Sequence, residues 1–439
     1  MSNLKSFYEI LTIESNDGSQ SIDLIEGAVA FDYYEDIFSP VITAKLKVIN
    51  VGNTVGDGNK RQSLYDGLPL RGGERLALKM TPNKENVESF LDFSQPDQYF
   101  VVSSITDVIM EQNRESFTLN LTSREAITNE TSRVYKKYPA ENKISDAVTS
   151  ILEENLLTEK INEVEGTSNV YGFIGNLRKP FTVLVWLASK SVPESEGGNA
   201  GFVFYQTKQG FNFRSLDSLT QQEPYKEKYV YAQSNPAFSE KTKINNDYKI
   251  LSYFIDRNQN LIEKLRLGAY ASWRMYFNPL DFSVTIPEAG YYTSEAYKDT
   301  VKTLGAKPVF PPISPGSDKT LADVPTRIFS SILDVGTLTQ EVTKDNNADP
   351  SEYQAQTLMR YNSLLTQSLS VMIPCNVDLN AGDVIECLFP LVTDSVDQKE
   401  YDEEISGLYM IKELCHHFDA SSSYTSLKLV RDTFGVQEK

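Results

Sequence analysis

Ile42-Thr43-Ala44-Lys45-Leu46-Lys47-Val48-Ile49 and Phe117-Thr118-Leu119-Asn120-Leu121-Thr122 are the stretches from which the fold is read. Apolar and polar residues alternate in both, the period of a strand with one face buried and the other in water. Tyr99-Phe100-Val101-Val102 precedes the polar Glu111-Gln112-Asn113-Arg114-Glu115, so with 117–122 it predicts a long hairpin. Leu76, Leu78 and Met80 alternate after a Gly72-Gly73 break, and Gly52, Gly56 and Gly58 punctuate a flexible loop. Many short strands with turns between them predict an antiparallel barrel or sandwich over residues 1–125.

The pattern changes over 126–240. Ile144, Ala147, Val148, Ile151, Leu152 and Leu156 form one helical stripe, and Phe181 to Ala188 behind Pro180 predicts a short buried helix. A hairpin follows at Phe202-Val203-Phe204-Tyr205, Gly210 and Phe211-Asn212-Phe213. Residues 241–287 read as long strands, with Ile250 to Ile255 and Leu261 to Leu267 joined by a turn at Arg257-Asn258-Gln259-Asn260. Over 288–360 lie a Pro-rich connection (Pro308, Pro311, Pro312, Pro315, Pro325) and a helix. That helix is signalled by Asp349 as cap, Pro350 at its first position and Glu352, with Leu358, Tyr361, Leu365 and Leu369 on one face. Residues 361–439 return to β, at Val384 to Phe389, Gly407 to Leu414 and Ser426 to Val430. Gly382-Asp383 reads as a hairpin turn, and the acid-rich 394–404 stretch as an exposed loop tip.

The 439 residues, 40% hydrophobic and 11% aromatic, suit a multidomain globular chain. No apolar run is long enough to span a bilayer, and none follows Met1-Ser2-Asn3-Leu4-Lys5, so neither membrane insertion nor a secretory leader is expected. A net charge of −18 opposes binding to phosphate backbones or anionic lipid. Sequence-specific nucleic-acid binding is therefore not expected.

Phosphate-cradling glycine motifs, H-E-x-x-H and G-x-S-x-G are all missing from the sequence. The two histidines, His416 and His417, adjoin Cys415 in a strand, so one should face inward and the other outward. With Cys375 and Cys387 they could make a Cys3His zinc site, but no C-x2-C pair supports it, and buried free thiols are the simpler reading. Acid pairs are too abundant among 60 carboxylates to signal a glycosidase. No catalytic residue, cofactor or metal is expected, and the chain is expected not to be an enzyme.

Four blocks together resemble the baseplate central hub proteins of contractile-tailed, T-even-like bacteriophages. They are Asp32-Tyr33-Tyr34-Glu35-Asp36-Ile37-Phe38-Ser39-Pro40 and onward to Ala44; Lys179-Pro180-Phe181 to Ala188 with Gly201 to Tyr205 and Phe213 to Leu219; Ile373-Pro374-Cys375 to Ile385; and Gly407 to Ile411 with His416 and Tyr424 to Asp432. The resemblance implies two antiparallel barrels akin to the tail-tube protein, joined by a mixed α+β region. The first barrel would be 1–125, the second 241–287 plus 361–439, and the middle region 126–240 plus 288–360.

It also implies a homotrimer, in which three chains of two barrels each adapt a three-fold spike below to a six-fold tube above. Partners would be the spike, a tube-initiating or tail-tube protein, and the tape-measure protein in the lumen, with DNA only as passing cargo. Such a protein would be assembled in the host cytoplasm and reside in the virion. The net charge adds the expectation of an acidic lumen. Large apolar ring interfaces would agree with the aromatic excess.

A related secretion spike is the nearest alternative, though no spike repeats follow Val436-Gln437-Glu438-Lys439. A baseplate-carried wall-degrading enzyme and a peripheral glycan-binding tail protein are alternatives of other classes. Tyr34, Phe38 and Trp273 are the candidate interface residues, with core packing as the competing reading for each; Trp186 is expected in helix core.

Overall fold

A computed structural model describes the chain outside residues 1–5, 53–54, 56–62, 69, 82–89, 113, 196–197, 232–245, 257–260, 278–281, 285–289, 294–300, 308, 333–349, 392–400, 420 and 436–439. Gly56 and Gly58, the turn at 257–260, the Asp349 cap and most of the acid-rich loop thus lie outside the described residues.

The alternating stretches are strands. Thr43–Val51 pairs antiparallel with Ala28–Asp36 on one side and Arg114–Ser123 on the other. Phe100–Glu111 and Arg114–Ser123 form the predicted hairpin. Beyond it the order continues through Arg75–Thr81 to Phe7–Glu14. The sheet curls on itself. Phe93, whose strand lies beyond Arg75–Thr81, brings its ring within 5.5 Å of Tyr33, although several strands separate them in sheet order. Burial of the alternate residues Phe31, Tyr33, Leu46, Val48, Leu119 and Leu121 fills this first barrel.

The second β unit runs Ser252–Asp256, Gln367–Pro374, Ser423–Arg431, Gly407–Asp419, Val384–Leu388 and Tyr229–Val230. It closes where the Ile250 N–H donates to the Val230 carbonyl at 2.9 Å and the Tyr231 and Tyr253 rings meet at 4.6 Å. Closure removes the free edges that an open sheet would expose to other chains.

The two units share one strand. Gly407–Asp419 pairs through Gly407 to Met410 with Val384–Leu388, and through Glu413 to Asp419 with Ala28–Asp36. A register shift between Ile411 and Glu413 marks the change of partner, as bulges do where a strand turns from one sheet to another. The result is mainly β, with a helical middle packed alongside, as the alternation predicts. The middle core joins the Ile144–Glu154 and Pro180–Ala188 helices to the Phe202–Thr207/Gly210–Ser215 hairpin. Trp186 is half-buried there, its ring 5.4 Å from Phe173.

Four local expectations change. Leu261–Leu267 is a helix, because its Leu, Glu, Lys and Arg residues are strong helix formers and a seven-residue apolar pattern does not separate the two periods. The helix Pro350–Leu364 ends before Leu369, which lies in a strand opposite Leu429, where a barrel partner outweighs the helical face. Gly382-Asp383 is no hairpin turn. The strands on either side of it, Gln367–Pro374 and Val384–Leu388, are not neighbours, and the Gly382 N–H and Asp383 carbonyl bond instead to Ile411. Finally, Ala271–Phe277 leaves the second barrel and pairs with Tyr291–Thr293 and Arg327–Ile332 in a separate three-stranded sheet, while Tyr229–Val230 joins the barrel from the middle region.

Candidate functional site

Across the shared strand the side chains that point away from the cores line up in registered rows. One row runs Ser104, Asn120, Lys45, Asp32, His417, Tyr424 over six strands. The next runs Thr122, Thr43, Tyr34, Cys415, Ser426, Met372. A third holds Asp36, Glu413, Lys428, Ser370 and Phe254. The two-residue period guarantees this segregation once the inward set is fixed by burial. The face sinks at the seam into an open depression of about 480 Å³, lined among others by Tyr34, Asp36, Thr43, Cys415 and Ser426.

Charges on this face are paired. His417 Nδ1 bonds Asp32, and its Nε2 lies 3.6 Å from Asp419. Lys412 approaches Asp36 at 3.6 Å and also meets Glu413, while Lys428 lies 3.5 Å from Glu413. Burial holds Asp36 above the usual carboxylate range. Burial also works upward on Glu413, but Lys412 and Lys428 outweigh it and bring it below. Asp32 and Asp419 thus meet His417, and Asp36 and Glu413 meet Lys412 and Lys428. The net −18 of the chain is not concentrated here.

Beneath this face lies a buried polar clamp that sequence reasoning missed. Glu35 is 2% exposed and points into the core. Its Oε1 accepts from the Tyr33 hydroxyl at 2.6 Å and the Lys208 N–H at 2.7 Å, and its Oε2 accepts the Ala381 N–H at 2.8 Å. The Lys208 ammonium donates to the Val377 carbonyl. One carboxylate so ties the first barrel, the middle hairpin and the loop entering the second barrel. Burial pushes Glu35 up to about 7 and lowers the Lys208 amine. The signal was available: Phe31, Tyr33, Glu35 and Ile37 alternate, which puts a carboxylate at an inward position.

His416 is buried and stacked on Tyr33, with Nδ1 2.8 Å from Thr425 Oγ1, whereas His417 faces out, as adjacent strand positions require. Burial raises the thiols of Cys375 and Cys415 to about 12 and that of Cys387 further. Among the described residues, no group of three or more His, Cys, Asp or Glu is placed to hold a metal ion. Nor is any helix among them long and apolar enough to cross a membrane.

Of the candidate interface residues, Tyr34 lies on the outer face at the seam, opposite Cys415 and Thr43. Phe38, 41% exposed, follows on the same chain segment, with Tyr361 6.2 Å and the Lys412 ammonium 5.6 Å from its ring. Trp273 is not brought near them by pairing; it sits in the separate small sheet between Tyr291 and Ile328. A further exposed apolar cluster was missed. Val108, Ile109 and Met110 occupy the free end of the Phe100–Glu111 strand, and Val51 pairs beside it with Arg114.

No family profile and no curated protein matches the sequence. Solved structures do match in fold. A tail protein from Neisseria meningitidis aligns over 98% of this chain and 97% of its own, with a TM-score of 0.53 and 9% identity. A 43 kDa tail protein of prophage MuSo2 from Shewanella oneidensis aligns over 96% and 98%, with a TM-score of 0.52 and 8% identity. The whole chain therefore shares the fold of these two tail proteins, in agreement with the hub-like resemblance of the four sequence blocks.

Proposed function

We propose that this protein is a structural subunit of a contractile tail, seated at the baseplate hub of a phage virion, with no catalytic role. The observation that carries the reading is the pair of curled, mainly antiparallel β units sharing the Gly407–Asp419 strand. Two side-by-side barrels per chain let three chains present six similar units, so a homotrimer can seat a six-fold tube on a three-fold spike. The spike would bind below, the tube-initiating or tail-tube protein above, and the tape-measure protein would reach the lumen. A cyclic ring of this kind needs two different complementary patches on each chain.

In this proposal the paired-charge, Ser/Thr/Asn-rich face across the seam lines the axial passage. An acidic lining is then given up. DNA would pass over side chains whose charges are already matched and whose hydroxyls and amides offer no net positive field.

The test is the mass in solution by light scattering, alone and with the candidate spike. A trimer, alone or on the spike, supports the reading, and a persistent monomer in both conditions ends it. Clearing of peptidoglycan suspensions by the purified protein would overturn the non-catalytic part.

A further inference from the structure

The helix Leu261–Leu267 is inside out. Leu261, Ile262 and Leu267 are 40%, 61% and 37% exposed, while its buried residue is Lys264. Lysine is among the side chains least often buried without a partner. Burial alone bears on this amine, lowering it to about 8, with no carboxylate or hydrogen bond to offset the loss of water.

Lys264 lines a cavity of about 410 Å³ between this helix, the helix Pro350–Leu364 and the segment 432–435 that follows the last strand. That volume falls in the roughly 300–1,000 Å³ range of small-molecule sites. Two polar atoms of cavity-lining residues are buried with no hydrogen-bond partner among the described residues: Arg360 Nε and Thr433 Oγ1. Arg360 spends its Nη2 on Asp217 at 2.5 Å, which fixes the guanidinium and leaves Nε over. Asp432, also in the wall, already accepts the Leu304 N–H at 2.9 Å. The rest of the wall is mixed, with Lys307 and Glu404 among its polar residues and Tyr270, Tyr292 and Phe310 on its apolar side, the Tyr270 and Phe310 rings edge to face at 5.3 Å. Two unpartnered donors beside the buried Lys264 side chain, in a cavity with an aromatic side, describe a site for one anionic head on an apolar body. Native proteins rarely leave such groups unpaired without a ligand or a water.

We propose that this cavity binds an amphipathic monocarboxylate, its carboxylate held by Lys264, Arg360 Nε and the Thr433 hydroxyl and its apolar body against Tyr270, Tyr292 and Phe310. The inference does not depend on the hub reading.

Calorimetric titration of the full chain with 4-phenylbutyrate and its neutral analogue 4-phenyl-1-butanol tests it. Saturable binding of one phenylbutyrate per chain is expected, at least tenfold tighter than the alcohol. Lys264→Met should weaken the carboxylate at least tenfold and leave the alcohol unchanged, with an unchanged thermal midpoint as the check on folding. Should that variant not fold, Thr433→Val should weaken the carboxylate more than the alcohol. Absence of saturable phenylbutyrate binding, equal affinity for the two compounds, or variants that affect both alike would overturn the proposal.

Discussion

The carboxylate of Glu35 accepts the backbone N–H of Ala381, 346 positions later in the chain, at 2.8 Å. With the Tyr33 hydroxyl and Lys208 N–H on its other oxygen, it satisfies three buried donors at once. Leaving a buried donor unpaired costs about 1–3 kcal/mol, and the three share one site, so Glu35→Ala should destabilise by roughly 2–4 kcal/mol. The midpoint of urea unfolding measures this; an unchanged midpoint would show that the clamp holds nothing.

The same residue sets a pH dependence. Its folded pKa is raised to about 7, so the stability it contributes is fully present below its unfolded value and is lost as pH rises through 7. Glu35→Gln, which cannot ionise, removes this dependence. The thermal midpoint of the native protein relative to Glu35→Gln should fall between pH 5 and pH 8, by an amount equivalent to on the order of 3 kcal/mol. A difference flat with pH would contradict the assignment.

His416 works in the opposite direction. Burial depresses it to about 3, so its contribution is present above its unfolded value and is lost as pH falls toward 3. About 2 kcal/mol should be gone by pH 5. His416→Gln should be less acid-sensitive than the native protein between pH 6.5 and pH 4. Acid unfolding monitored by tyrosine fluorescence reads it, and identical acid midpoints would rule out the histidine as a source.

Gly382 is required by two constraints. Its φ is +95°, and a Cβ there would sit 2.5 Å from the Tyr205 hydroxyl. Gly382→Ala should cost about 1–3 kcal/mol, and adding Tyr205→Phe should recover part of it by removing the clashing oxygen while the backbone strain remains. No recovery in the double variant would place the whole cost in the backbone.

The exposed tip at Ile109 lets assembly be separated from folding. Ile109 is 58% exposed at the free end of its hairpin, so Ile109→Asp should leave the thermal midpoint within about 0.5 kcal/mol of native stability. If the proposed ring uses this tip, the variant's mass by light scattering should drop below that of the native assembly. An unchanged mass would exclude the tip from the interface.

Much of this architecture was written in local pattern. Alternation at 42–49 and 117–122, the helical stripe from Ile144, and Pro180 at a helix start each specify a backbone period that burial then selects. Adjacency alone put His416 inside and His417 outside. Where local pattern was short or neutral, partners decided instead. Leu369 reads as well on a helix as on a strand, and Leu429 across the ladder settled it. Ala271–Phe277 is a strand by either reading, but its alternation does not say which sheet it will join.

Neither the clamp at Glu35 nor the cavity at Lys264 has a motif. Each gathers residues from segments more than a hundred positions apart, and a single charged residue among apolar neighbours carries no sign of what will surround it. The sequence by itself determined the periods of the longer segments, hence most strands and helices and their inward faces, though not the short helix Leu261–Leu267. The tertiary structure alone decided that Gly407–Asp419 serves two barrels, because sharing a strand depends on hydrogen bonds between backbones, which every residue but proline can supply and no side-chain pattern encodes.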